Sequence, residues 1–225
     1  VSGIRGIMMS QLKIIPFEPK KHLEFVVNSY YQEFGKVLGY DKKHPAPKYV
    51  KDSARESIVN LEQTILIAVC SGKPAGFIQF QKRMYSDALA FYACCVHLNS
   101  SLNRLKINRE AAELQYSWLK GEVFSSKPAG ITLANHSITQ VASTDAAKSV
   151  IFVLPGYQRR GLGSRLSSEA ELLAKEAGAE QMFTTCLAGM PTHKMNLKLG
   201  YEEIAFFEQM YRNRHDGVVM AKKLC

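Results

Sequence analysis

The chain has 225 residues and a mass of 25.2 kDa, with 46% hydrophobic, 22% charged and 10% aromatic residues. This ordinary globular composition excludes a collagen-like, linker-dominated or wholly disordered chain, and the length suits one domain or one domain with an insertion. Of the net charge of +9, most lies at the front, where residues 1–85 carry 13 Lys+Arg against 7 Asp+Glu; such a balance draws anions without choosing among them.

No run of about 18 uncharged apolar residues exists, so no membrane span is expected. The five cysteines (Cys70, Cys94, Cys95, Cys186, Cys225) are odd in number and form no C-x-x-C pair. Free thiols of this kind fit a reducing, cytoplasmic setting better than a zinc or disulfide framework. Met8 and Met9 mark residues 1–8 as an expected extension, with 9–225 forming one domain.

In chain order, Leu12 to Pro16 reads as a short strand. From Lys20 to Leu38 the apolar residues Leu23, Val26, Val27, Tyr30, Tyr31, Phe34 and Leu38 recur at three and four, which predicts an amphipathic helix. A second helix is expected over Tyr49–Leu61. Thr64–Cys70 and Ala75–Phe80 flank Ser71-Gly72-Lys73-Pro74 and predict a hairpin. Residues 84–147 have no dominant period, although Ala111–Lys120 reads as helical and Gly130–Ala134 as a strand. Ser149–Leu154 is a buried-strand run broken by Pro155 and Gly156. Leu162, Leu166, Ala170, Leu173 and Ala177 then predict a helix that stops at Gly178. A strand (Gln181–Leu187), a helix (Thr192–Leu199) and two strands (Glu202–Arg212 and Gly217–Leu224) complete the chain.

The chemistry is concentrated where the Ser149–Leu154 strand turns into the next helix. The first N–H groups of a helix have no partner within it, and the helix dipole adds positive charge, so such an end receives phosphate. Gly161 and Gly163 let backbone approach a bulky anion, and Arg159 and Arg160 add charge. A P-loop is excluded because no Gly-Lys-Ser/Thr follows at the needed spacing. A dinucleotide fingerprint is excluded because Leu166 stands where its third glycine belongs.

What does fit is V-x-P-x-x-Q/R-x-x-G-x-G/A, carried by Val153, Pro155, Gln158, Gly161 and Gly163. Downstream, Lys198-Leu-Gly-Tyr-Glu202 fits K-x-G-F/Y-E. With these motifs and its element order, the chain resembles the GNAT superfamily of N-acyltransferases over residues 12–83 and 148–224. The resemblance implies an α/β fold with a mixed, mostly antiparallel sheet, helices on both faces, and splayed fourth and fifth strands that admit the cofactor. Residues 84–147 become a partly helical insertion between the third and fourth strands. Acetyl-CoA is the implied co-substrate, without a metal. Its pyrophosphate would lie on backbone N–H groups of Gln158, Arg159, Arg160, Gly161, Leu162, Gly163 and Ser164. Its pantetheine arm would pair with the edge of Phe152, Val153 and Leu154, and an N–H near Val153 would polarise the thioester carbonyl.

The departures concern proton transfer. Many members of the superfamily place Asn eleven residues and Tyr four residues before the late glycine, with Tyr as general acid. Counted back from Gly200, these positions hold Gly189 and Asn196. The alternative Glu early in the fourth strand falls near Ala147. Asn196 can donate a hydrogen bond but cannot release a proton at neutral pH. His193 shares a helical face with it and is a candidate base, against the plainer reading of a helix-end histidine. Cys186 reads as an acyl acceptor or, more simply, as a small buried residue. His44 lies among Lys42, Lys43, Lys48 and Lys51, while His97, His136 and His215 have no partner identifiable in the sequence.

The expected activity is acetyl transfer from coenzyme A to an amine, by direct attack in a ternary complex. The acceptor would be a small molecule or a peptide, and a dimer partner is a further expectation for the insertion. A non-catalytic acyl-CoA-binding or partner-binding module is the alternative. Nucleic-acid binding ranks last, because no stacking aromatics interleave with the front lysines.

Overall fold

The computed structural model describes residues 12–37, 55, 58, 63–84, 130–133, 141–211 and 215–224. The strands are β1 (Leu12–Pro16), β2 (Thr64–Cys70), β3 (Lys73–Gln81), β4 (Gly130–Leu133), β5 (Ala146–Val153), β6 (Gln181–Leu187), β7 (Glu202–Tyr211) and β8 (His215–Lys223). The helices are α1 (Pro19–Val37), α2 (Leu162–Glu176) and α3 (Pro191–Lys198), with a 3-10 turn at Pro155–Tyr157. The strands form one eight-stranded sheet in the order β1-β2-β3-β5-β6-β8-β7-β4. Among the described strands, β5 and β6 form the one parallel pair. The fold is the expected α/β arrangement, with a mostly antiparallel sheet and helices on both faces.

Alternation along the strands explains how the two faces fill. In β2, Leu66 and Ala68 face α2, whereas Ile65 and Ile67 face α1. The α2 side packs Leu162, Leu166, Ala170 and Ala174 onto Ile78, Phe80, Met182 and Met220. The α1 side packs Val26 and Val27 onto Phe77, Val150 and Phe152. Each large side chain fully buried here stabilises the fold by about 1.5–3 kcal/mol. The β2–β3 hairpin turns on Ser71 and Gly72, both at positive φ (50° and 77°). Positive φ at both central residues is what a two-residue turn matching strand twist requires.

β5 carries the irregularity that shapes the site. Gln79 faces Val150 and Phe80 faces Lys148, so Ser149 has no opposite number. A bulge of this kind resets the alternation. Lys148 therefore lies on the α2 side with Phe80, while Val150 lies on the α1 side with Phe77.

Several boundaries differ from expectation. β5 begins at Ala146, earlier than the apolar run suggested, because Ala146 and Ala147 pair with Met182 and Phe183 of β6. Within the insertion the strand expected at Gly130–Ala134 is present as β4 (Gly130–Leu133), and it pairs antiparallel with β7 at the far edge of the sheet. The helical stretch expected at Ala111–Lys120 lies outside the described residues, as do residues 1–11 and most of the expected Tyr49–Leu61 helix; Arg55 and Ile58 of that stretch are helical. Met84 N–H donates to Asp145 O at 2.7 Å, so the chain leaves β3 and re-enters β5 at adjacent points.

Candidate active site

The turn after β5 is built from conformations that glycine favours. Arg159 and Gly161 have φ of 58° and 79°. Gly161 is the N-cap of α2, supplies no side-chain cap, and would project a Cβ into open space. The first-turn N–H groups of Leu162, Gly163 and Ser164 have no acceptor inside the helix; the internal ladder begins with Arg165 N–H to Gly161 O at 3.0 Å. Gly163 is glycine for a different reason, since a Cβ there would lie 3.0 Å from Met195 Sδ of α3. Gln158 turns its side chain back, Nε2 donating to Val153 O at 2.8 Å, and ties the turn to β5. Arg159 is exposed beside this end.

β5 and β6 pair only at Ala146–Met182, Ala147–Phe183 and Lys148–Thr184. Beyond that rung they part. Leu154 N–H donates to Ala75 O of β3 at 2.9 Å. Strand alternation then turns the main chain of Val153 the other way, into the opening. Of the three residues expected to line a pantetheine arm, Val153 is the one whose backbone faces the gap, while Phe152 is a buried member of the α1-side core. The residues present suit coenzyme A: an uncapped helix end behind a left-handed glycine, open space above it, and a strand edge leading from it into a cleft.

At the foot of the opening lies a buried polar group that sequence reasoning missed. Lys148 Nζ donates to Asn196 Oδ1 at 2.9 Å and lies 3.9 Å from the centre of the Tyr201 ring. Both Lys148 and Asn196 are buried, at 5% and 1% exposure. Burial pushes the Lys148 ammonium down to about 7; nearby Glu171 and Cys186 oppose this shift, and Lys222 adds to it. Glu171 is already engaged, accepting from Tyr201 Oη at 2.9 Å and Lys222 Nζ at 2.6 Å. Among the described residues, no carboxylate pairs with Lys148. The register shift at Ser149 is what turns this lysine inward, and a bulge leaves no clear mark in composition.

The other polar and titratable groups near the site, and the remaining histidines, fall as follows. His193 Nδ1 accepts Gly189 N–H at 3.0 Å, and its Nε2 meets Glu203 Oε1 at 2.8 Å, so both ring nitrogens are engaged. Asn196 Nδ2 points to Cys186 Sγ at 4.0 Å. Burial pushes the Cys186 thiol up to about 11, which leaves little nucleophilic thiolate. Asp145 is buried, accepting from Ala142 N–H at 2.9 Å and Gln181 Nε2 at 3.2 Å. Burial raises its carboxyl above the usual range, with those hydrogen bonds opposing. His215 is exposed at the start of β8, and His44, His97 and His136 lie outside the described residues. No group of three His, Cys, Asp or Glu among the described residues could hold a metal ion. Nor is any helix among them long and apolar enough to cross a membrane.

β5, α2 and β6 form a parallel β–α–β crossover whose strands part beside a bare helix end. Residues 24–201 match the acetyltransferase (GNAT) family, and the chain belongs to that family. Its chemistry is therefore acyl transfer. Solved structures with the same fold include an N-acetyltransferase from Staphylococcus aureus Mu50, at TM-score 0.58 and 14% identity over 95% of this chain and 99% of that one. A ribosomal-protein-alanine N-acetyltransferase from Brucella melitensis has TM-score 0.56 and 12% identity over 94% and 99%. An aminoglycoside 6'-N-acetyltransferase complexed with coenzyme A has TM-score 0.55 and 12% identity over 95% and 97%. A search of curated proteins by sequence finds no significant match.

Proposed function

We propose that the protein transfers an acetyl group from acetyl-CoA to an amine, which attacks the thioester directly within a ternary complex. The observation that carries this reading is the alignment of the uncapped α2 end, behind Gly161, with the parting of β5 and β6 beyond Lys148. N–H groups of Gln158 to Ser164 hold the pyrophosphate, with Arg159 and Arg160 contributing charge. Coenzyme A supplies the activated thioester. The Val153 main chain supplies the edge along which its arm lies and a donor to the carbonyl oxygen. A donor aimed at a developing oxyanion is worth about 2.7–4 kcal/mol. The acceptor is an amine on a small molecule or a peptide.

The test is turnover of acetyl-CoA with a panel of peptide N-termini, lysine, polyamines and aminoglycosides, read as released thiol. Binding of CoA with release of thiol for at least one amine is expected. Binding of CoA without turnover of any amine would instead establish the non-catalytic acyl-CoA-binding reading. That second reading draws on Asn196, which stands where a proton donor is usual.

His193 reads as a residue that ties the entry of α3 to its surroundings. It is the third residue of α3 and accepts from the N–H of Gly189, one residue before the N-cap, while its Nε2 meets Glu203 of β7. His193→Ala is expected to cost about 0.5–1.5 kcal/mol in thermal unfolding, the usual net worth of a hydrogen bond. Turnover should fall by less than about tenfold; a loss of about 10²–10⁴ would make His193 the base after all.

A further inference from the structure

Lys148 is the feature that the family match leaves unexplained. It occupies the last rung at which β5 and β6 pair, facing Thr184, and is the described residue that closes the bottom of the cleft. Its Nζ is directed by Asn196 Oδ1 at 2.9 Å and rests over the Tyr201 ring at 3.9 Å. The groups that face it from the packed elements are Glu171 of α2, Cys186 of β6, Lys222 of β8 and Tyr201. Glu171, the single carboxylate among them, is committed to Lys222 and Tyr201. The Cys186 thiol is held in its neutral form. Lys148 is thus a titratable group in a dry site with no counter-charge of its own.

Resting on the transferase reading above, we propose that Lys148 carries the proton of the transfer, its Nζ aimed by Asn196 at the point where β5 and β6 part. The acceptor nitrogen forms a bond to the thioester carbon and becomes positively charged as the carbonyl oxygen becomes negative. Neutral Lys148 Nζ takes one proton from that nitrogen. The carbon–sulfur bond then breaks, its electron pair leaving on sulfur, and Lys148 returns the proton to the sulfur. The products are an amide and a thiol, and Lys148 ends neutral as it began. Nitrogen and sulfur are bonded to the same carbon, so one Nζ can serve both. A group near pH 7 suits both halves, because a thiol of ordinary pKa, about 8.5, holds a proton more firmly. Asn196 is then a positioning residue, and the missing general acid needs no replacement on α3.

Three substitutions and two readouts test this. Lys148→Gln keeps a donor for Asn196 but has no proton to exchange, Lys148→Arg keeps the charge permanently, and Lys148→Met removes both. In the free protein, NMR titration of the Lys148 side chain, assigned by its loss in Lys148→Gln, should show a midpoint near 7. With an amine identified in the panel, kcat should fall by about 10²–10⁴ in all three variants, the usual worth of a positioned acid–base group. The acid limb of kcat/KM near pH 7 should vanish, while CoA affinity stays within about threefold. A purely structural lysine would alter stability or CoA affinity and leave that limb in place. Turnover within about tenfold of wild type in Lys148→Gln or Lys148→Arg, or a midpoint near the ordinary 10.5, overturns the shuttle alone. A wild-type protein that binds CoA and turns over no amine overturns the transferase reading and the shuttle with it.

Discussion

Replacing Gly161 by valine is expected to weaken CoA binding at least about 100-fold, roughly 2.7 kcal/mol, from a starting affinity in the micromolar range near −8 kcal/mol. Two effects act together. The backbone at φ 79° disfavours a β-branched residue, at a cost of about 1–2 kcal/mol. The new side chain also projects into the open space in front of α2, where no protein atom lies within 4 Å of a Cβ. That emptiness is why the fold should survive: the valine collides with the ligand and not with the protein. Gly163→Val offers the contrast, because its Cβ meets Met195 Sδ of α3 at 3.0 Å and that side chain has to give way. Calorimetry with CoA, beside thermal unfolding, separates the two. Unchanged CoA affinity in a folded Gly161→Val protein would remove the basis of the cofactor assignment.

Deleting residues 87–140 and closing the gap with a short Gly-Ser bridge is expected to spare CoA binding and destroy acceptor turnover. A segment of about sixty residues far exceeds an ordinary connection of about 4–6, and its sequence includes the aromatic residues Phe91, Tyr92, Tyr116, Trp118 and Phe124, whose apolar surface is expected to be buried. The bridge is short because Met84 and Asp145 are already hydrogen-bonded at 2.7 Å. The parts proposed to hold CoA, which are β5, the turn and α2, lie outside the deletion. What is lost includes β4, and with it the cover on the outer edge of β7. Turnover should drop at least about 100-fold, the cost of a slightly misplaced substrate, with CoA affinity within about threefold. The same amine acetylated at the same rate, by a protein of unchanged oligomeric state, would deny the insertion any part in acceptor recognition or assembly.

The legible parts of the chain were those with short-range signals. α2 announced itself through Leu162, Leu166, Ala170 and Leu173, and the bare end before it through Gly161 and Gly163. The β2–β3 hairpin was visible in two apolar runs around Ser71-Gly72. The start of β5 was less so, because Ala146 and Ala147 are weak strand formers held by pairing with Met182 and Phe183, far along the chain. The edge position of β4 depends on β7, more than seventy residues away, and no local pattern encodes it. Lys148 was invisible for a sharper reason. A lysine beside a serine in a strand reads as solvent-facing, and only the unpaired Ser149 turns it inward. Asn196 was singled out by resemblance, but its hydrogen bond to Lys148 is a tertiary fact. His193 lies on the helix that the sequence predicts, and its two partners, Gly189 and Glu203, come from the turn before and the strand after.

The burial of the Lys148 ammonium, bonded to Asn196 and with no carboxylate paired to it among the described residues, also makes the fold itself respond to acid. Below about pH 7 this lysine is charged in the folded and the unfolded chain alike, and the native state bears the full cost of hiding the charge from water. Between about 7 and the ordinary 10.5 the unfolded chain alone holds the proton, so native stability from this group rises with pH across that window and levels off above it. A carboxylate whose pKa is lowered by an ion pair has the same sign, but its rise in stability is complete in the acid range, below the window of this lysine. Here mild alkali relaxes the fold's internal tension, and the same neutral lysine that steadies the core is the one poised to accept a proton.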